Sequence, residues 1–188
     1  METPSGAGPS GGTGPLADDG PLAAAAARAG AVVRTETRPG DIGSLIRLHG
    51  VLYAAETGYS MEFEAYVAKT FSGYRWPLGA RERLWLVEKD GTLAGSIAIV
   101  KASETQAQLR WLLLDARLRG RGIGRALVQE AVTFARAQGY ASIVLWTEDS
   151  LVTAASLYRQ AGFTRTEEST AEAWGAVRTQ SRWDLVLA

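Results

Sequence analysis

At 188 residues, with 20 Lys and Arg balanced against 20 Asp and Glu, the chain has room for one domain with a sizeable core plus a tail, and its zero formal charge implies no broad nucleic-acid surface. The absence of cysteine excludes disulfides, thiolate metal sites and a cysteine nucleophile. No apolar run approaches the ~18 residues of a membrane helix, and the alanine run near the N-terminus has no basic region before it and is broken by Arg28, so a cytoplasmic protein without a membrane partner is expected.

Residues 1–30 hold four of the six prolines, seven of the 21 glycines and no aromatic residue. Such a segment buries too little apolar area to offset the entropy of ordering, and it reads as a disordered Gly/Pro/Ala-rich tail with at most one loose helical turn at Ala23–Ala27. The sequence from Ala31 to Arg38 reads as a first strand, and Pro39-Gly40-Asp41 as a turn with Asp41 capping the next helix. That helix runs from Ile42 to about Glu56, with Ile42, Leu45, Leu52 and Tyr53 on one arc. His49 and Glu56 fall inside the same arc. An ionisable pair facing the core needs a partner, a cleft or a chemical role; the alternatives are a satisfied structural hydrogen bond or a helix ending before Glu56.

Met61 to Tyr74 reads as a second helix, with Phe63, Tyr66, Val67 and Phe71 at helical spacing, as core plus one wall of a cleft. The aromatic loop Tyr74-Arg75-Trp76-Pro77 suits either acceptor binding or loop anchoring. Strands are expected at Arg83 to Glu88 and Leu93 to Val100, joined through the hairpin signal Asp90-Gly91. The next strand, Gln106 to Leu114, places Arg110, Leu112 and Leu114 on one face and Trp111 and Leu113 on the other by strict alternation. Beyond a glycine- and arginine-rich loop, a helix carries Ile123, Leu127, Ala131, Phe134 and Ala135 on one face and ends at Gly139. A buried strand at Ser142 to Thr147, a short helix from Leu151 to Ala161 stopped by Gly162, and two strands within residues 163–188 complete the chain.

The stretch from Leu112 through Arg125 is the one around which the rest is organised. Strand, glycine loop and helix N-terminus together offer free N–H groups and partial positive charge to an anion. Gly120, Gly122 and Gly124 let a phosphate approach the main chain, and Arg117, Arg119, Arg121 and Arg125 match phosphate oxygens. The other reading of the glycines is tight helix packing. No Gly-Lys-Ser/Thr follows, so this is not a Walker loop, and Arg125 breaks the Rossmann glycine spacing.

Arg119, Gly122 and Gly124 do resemble the Arg/Gln-x-x-Gly-x-Gly/Ala acetyl-CoA signature of the GNAT N-acetyltransferase superfamily. A second element follows in order: Ala154-Ala155-Ser156-Leu157-Tyr158-Arg159-Gln160-Ala161-Gly162-Phe163 is similar to that superfamily's Ala-x-x-Leu-Tyr-x-x-x-Gly-Phe helix. From about Arg38 to Ala188 the chain more closely resembles the acetyltransferase half of MarR-type regulator–GNAT fusions, through His49 to Glu56, Leu109 to Leu114 and Arg182-Trp183-Asp184-Leu185.

The resemblance implies an α/β (α+β) fold over residues 31–188, with a mixed, mostly antiparallel sheet of about six or seven strands flanked by about four helices. It implies direct acetyl transfer from acetyl-CoA, as cosubstrate and without a metal, to a primary amine of a small molecule or amino acid; the alternative is a non-catalytic acyl-CoA sensor. A homodimer is compatible with either. Pantetheine would pair with the splayed edge at Leu112, Leu113 and Leu114, and pyrophosphate would lie on the N–H groups of Arg119, Gly120, Arg121, Gly122, Ile123 and Gly124, with Arg125 close by. Tyr158 matches the superfamily's general acid: a tyrosine near pKa ~10 can protonate a leaving thiolate near ~8.5. An alkylamine near pKa ~10.4 calls for a base, for which Glu56 is the first candidate, His49 the second and Glu148 the third. Leu151 stands where many members carry an Asn that contacts pantetheine, leaving that contact to Ser150 or Thr153 or removing it.

Overall fold

The computed structural model describes residues 20–187. Seven strands form one sheet: β1 (Ala31–Arg34), β2 (Arg83–Lys89), β3 (Thr92–Lys101), β4 (Gln106–Leu114), β5 (Ser142–Glu148), β6 (Thr164–Ala173) and β7 (Ala176–Val186), in spatial order β1-β2-β3-β4-β5-β7-β6. The helices are α1 (Pro21–Arg28), α2 (Asp41–Thr57), α3 (Met61–Ser72), α4 (Ile123–Ala137) and α5 (Val152–Gln160). All neighbouring strands run antiparallel except β4 and β5, which the α4 crossover makes parallel. Asp90 and Gly91 both take positive φ, as a two-residue hairpin between β2 and β3 requires.

The central strands are buried on both faces. Trp85, Val87, Ile97 and Ile99 point into a core shared with α1 and α4, while Leu84, Leu86, Ala98 and Val100 point into a second core shared with α2 and α3. Helices on both sides explain why β2 and β3 read as continuous apolar runs. The expected stripe of α4 is buried in full.

The N-terminal boundary differs from expectation. Residues 1–19 of the expected tail lie outside the described residues, but its last part folds as α1, giving five α-helices rather than about four. Pro21 opens the helix, alanine has the highest helix propensity, and Leu22, Ala25, Ala26 and Ala29 line up at helical spacing against the first core. A four-residue apolar face needs no aromatic anchor when the opposing surface is flat and already apolar. At the start of α2, Gly40 in the left-handed region is the cap instead of Asp41. The Asp41 carboxylate instead accepts from both Arg34 Nη atoms at 2.8 and 2.7 Å and from Arg38 N at 2.6 Å.

Two features of β4 shape the site. Its pairing with β5 runs only from Gln106↔Ser142 to Gln108↔Val144, after which the strands part. Its pairing with β3 is interrupted between Ser96↔Leu113 and Ala98↔Arg110 by one extra residue, with Trp111 at φ 52° and its carbonyl accepting from Ser96 Oγ at 2.7 Å. The bulge breaks the expected alternation. Leu112 and Leu114 pack toward the first core, but Arg110 lies with Trp111 on the other face, its guanidinium 5.6 Å from the Trp111 ring and 6.0 Å from that of Tyr74.

Candidate active site

The glycine loop joins β4 to α4 through the 3-10 turn Ala116–Leu118. Gly120 at φ 70° and Gly122 at φ 82° hold left-handed conformations, and a Cβ at either would meet nothing within 4 Å, so the main chain there faces open space. Gly122 caps α4 with no side-chain hydrogen bond, leaving the first-turn N–H groups of Ile123, Gly124 and Arg125 for another partner. Gly124 serves packing instead. A Cβ there would lie 3.2 Å from Leu157 Cδ1, so its glycine lets α4 and α5 approach. Arg121 and Arg125 are exposed beside the loop. Arg119 is held in place, its Nε donating to Leu114 O at 2.8 Å and its Nη1 to Glu56 Oε2 at 2.9 Å. A dianionic phosphate group fits this cradle of free N–H groups, absent Cβ atoms and guanidinium charge.

Where β4 and β5 part, a cavity of about 240 Å³ opens on the face of α2 and α3. Tyr158 from α5, Leu112 from β4 and Leu151 ahead of α5 line one side; Glu148 from the end of β5 and Arg110 from the bulge line others. Aromatic rings close the remainder: Tyr59, Phe63, Tyr66 and Trp174 pack with centroid separations of 4.7–6.2 Å. Trp174 arrives from the β6–β7 turn, anchored by Ser60 N donating to its carbonyl at 3.1 Å.

Glu148 is 8 % exposed. One carboxylate oxygen accepts from the Tyr59 hydroxyl at 3.2 Å and from the Ser150 hydroxyl. Tyr59 is itself fixed by the Arg178 guanidinium, 4.1 Å above its ring, and its phenol is pushed up by burial and by the neighbouring Glu148 charge. Tyr158 is 5 % exposed, and burial, with Tyr53 nearby, raises its pKa above the ordinary tyrosine value. Among the described residues no cluster of three or more His, Asp or Glu side chains is placed to hold a metal ion.

The family model for the acetyltransferase (GNAT) family matches residues 52–163, more than half of the chain. The chain belongs to the GNAT family. Among curated GNAT-like relatives, it is 37 % identical over 94 residues to rat N-acetyltransferase family 8 member 2, covering 47 % of this chain and 42 % of that protein. It is 34 % identical over 95 residues to human N-acetyltransferase 8B, covering 48 % and 42 %. The chain thus spans less than half the length of these relatives. Solved structures with the same fold include a putative phosphinothricin N-acetyltransferase (TM-score 0.66, 18 % identity, 84 % of this chain and 99 % of that one). They also include the ribosomal-protein-S18-alanine N-acetyltransferase of Escherichia coli (0.63, 18 %, 84 % and 94 %). A third is a putative acetyltransferase from Salmonella typhimurium with its cofactor acetyl-CoA (0.60, 16 %, 85 % and 95 %).

Within this GNAT domain the structure separates the sequence-predicted residues. Tyr158 and Leu112 reach the cavity. The Ile123 side chain is wholly buried in the first core and Leu113 is also buried, so each offers only its main chain to a ligand. Glu56 does not line the cavity: its side chain is 37 % exposed and paired with Arg119. It keeps the predicted angular position, but one residue from the end of α2 the helix has run past the core. His49 does line the cavity and is 4 % exposed. Its Nδ1 lies 2.8 Å from Leu45 O; a carbonyl only accepts, so Nδ1 carries the proton. Burial pushes its pKa down to about 4, against that hydrogen bond, which makes it a weak base. Ser150 is committed to Glu148, and Leu151 presents an apolar wall where many GNAT members carry Asn. Tyr59, Arg110 and Trp174 were not singled out as site residues by the sequence. Tyr59 meets a partner 89 positions away, and no local spacing carries that signal.

Proposed function

We propose that this protein is an acetyl-CoA-dependent N-acetyltransferase acting on the primary amine of a small molecule or amino acid. The observation that carries the reading is the placement of Glu148 and Tyr158, a hydrogen-bonded carboxylate and a buried phenol, in one cavity at the point where β4 leaves β5. The family membership, the names of the curated relatives and the open glycine cradle support it. The cavity volume, about 240 Å³, is below the ~300–1,000 Å³ of pockets for drug-sized ligands and favours a small acceptor.

Acetyl-CoA supplies an acetyl group activated as a thioester. On this reading Gly120, Gly122 and the first turn of α4 hold its pyrophosphate, and the unpaired edge of β4 from Leu112 to Leu114 runs beside its pantetheine. Glu148 takes a proton from the substrate ammonium, freeing the lone pair that forms the C–N bond. The nitrogen sheds a second proton as the C–S bond breaks, and Tyr158 protonates the departing sulfur. One proton is released overall, and Tyr158 is reprotonated from solvent. Burial raises the Tyr158 pKa, which keeps the phenol protonated until the sulfur departs. The resemblance to regulator-fused acetyltransferases rests on three sequence stretches and adds no chemistry to this cavity.

The experiment is to follow free CoA on mixing protein, acetyl-CoA and a panel of amines. Tyr158→Phe should lower kcat by ~10²-fold or more with acetyl-CoA affinity unchanged, and Glu148→Gln should flatten the acid limb of the pH–rate profile. Full kcat in Tyr158→Phe would remove the general acid. Acetyl-CoA binding without turnover of any amine would leave the sensor reading in its place.

A further inference from the structure

The charge inside the acceptor cavity narrows the substrate class. Arg110 and Glu148 are the charged side chains lining it. Glu148 already accepts two hydroxyls and faces the amine on the reading above. Arg110 is different: Gln108 Oε1 accepts from its Nη1 at 3.2 Å, the rings of Trp111 and Tyr74 flank it, and no ion pair among the described residues includes it. A half-buried guanidinium with one neutral acceptor and two aromatic neighbours has donors left over. A simple cationic amine would sit in the same small cavity and leave Arg110 without a counter-charge. A zwitterion satisfies both groups at once.

We propose that the acceptor is a free amino acid with an aromatic or large apolar side chain: its carboxylate on Arg110, its amine at Glu148, and its side chain among Tyr59, Phe63, Tyr66 and Trp174. The proposal rests on the N-acetyltransferase reading and goes further by naming the acceptor. Arg110 lies two residues beyond the last β4–β5 pair, Gln108↔Val144, and Glu148 lies four beyond it on β5. At ~3.3 Å per residue the two stations differ by about 7 Å along the strands, a span that a guanidinium on a three-carbon stem and a zwitterion can bridge. A chain N-terminus fits less well, because an amide there stands where the carboxylate would be and leaves the guanidinium without its bidentate partner.

The test uses paired ligands, so it does not depend on any variant folding. L-phenylalanine, L-phenylalaninamide and phenethylamine share the ring and the amine and differ in the carboxylate. With the wild-type protein and acetyl-CoA, kcat/KM for L-phenylalanine should exceed that for the other two by ~10²-fold or more. Arg110→Met should bring the ratio close to unity, and Arg110→Lys should restore part of it. Equal turnover of phenylalanine and phenethylamine, or an unchanged ratio in Arg110→Met, overturns the proposal. The second readout is binding without chemistry: the fluorescence of Trp111, Trp146 and Trp174, all lining the cavity, should respond to L-phenylalanine at concentrations at least tenfold below phenethylamine. A protein that binds phenylalanine selectively but acetylates nothing sinks the enzymatic reading and keeps the clamp. One that acetylates amines without regard to the carboxylate does the reverse.

Discussion

Replacing His49, the chain's single histidine, with glutamine should change how stability depends on pH. In the folded protein burial pushes the imidazole down from 6.5 to about 4, while Nδ1–H is held by the Leu45 carbonyl. In the unfolded chain it titrates near its ordinary value. As pH falls below 6.5 the unfolded chain takes up a proton that the folded protein refuses, so the stabilisation is fully present above 6.5 and is lost as pH falls toward 4. The whole difference corresponds to about 3 kcal/mol, and roughly 2 kcal/mol of it is lost by about pH 5. Urea unfolding at about pH 7.5 and about pH 5 measures this, and the wild type should lose roughly 2 kcal/mol more than His49→Gln across that interval. The carboxylates common to both proteins cancel in the comparison, and any packing difference between His and Gln appears equally at both pH values. Identical pH dependence would show that the imidazole is not held neutral. A wild type that loses less than the variant would mean that a carboxylate pairs with His49, restoring it as a candidate base.

Gly122→Glu should abolish acetyl-CoA binding in isothermal titration, because it brings negative charge to the cradle and a side chain to a position at φ 82°; wild-type affinity would remove the phosphate site. Deleting residues 1–28 should lower the melting temperature by roughly 5 °C or more, since α1 buries Leu22, Ala25 and Ala26. An unchanged melting temperature would mean that α1 adds nothing to the domain.

Local pattern was enough for most elements. The α4 stripe, the Asp90-Gly91 hairpin and the buried strands each satisfy a period or a turn rule within one window of sequence. The sequence names site candidates most sharply where a motif is itself local, in the loop from Arg119 to Arg125 and at Tyr158, and their roles belong to the proposed function. Glu56 shows the limit: helical angle places it with Leu45 and His49, but angle says nothing about where along its axis a helix leaves the core, and there Glu56 meets Arg119 instead of the cavity. Glu148 has no such local signature: from its place at the end of a strand it ranks only third among the candidate bases. It moves ahead of Glu56 and His49 because the fold buries it in the cavity beside Tyr59, far away in the chain, and Ser150. The helix α1 escapes a sequence reading for the opposite reason, because composition averaged over residues 1–30 hides a short alanine face that a ready-made apolar surface can accept.

The extra residue at Trp111 ties the two halves of the site together. A bulge bends its strand, and this one falls just past Gln108, where β4 parts from β5, so the main-chain edge beside Leu112 is left unpaired. The same residue reverses which side chains face which helices. Strict alternation would put Arg110 with Leu112 and Leu114 on the side of the core shared with α4, away from Tyr74. With Trp111 at φ 52° and tied to Ser96, Arg110 instead turns toward Tyr74 and the acceptor cavity. One irregularity in β4 therefore exposes the edge proposed for pantetheine and aims the cation proposed for the acceptor, and the ring of Trp111, stacked 4.0 Å from Phe71 and donating to Thr70 at 3.0 Å, locks both in place.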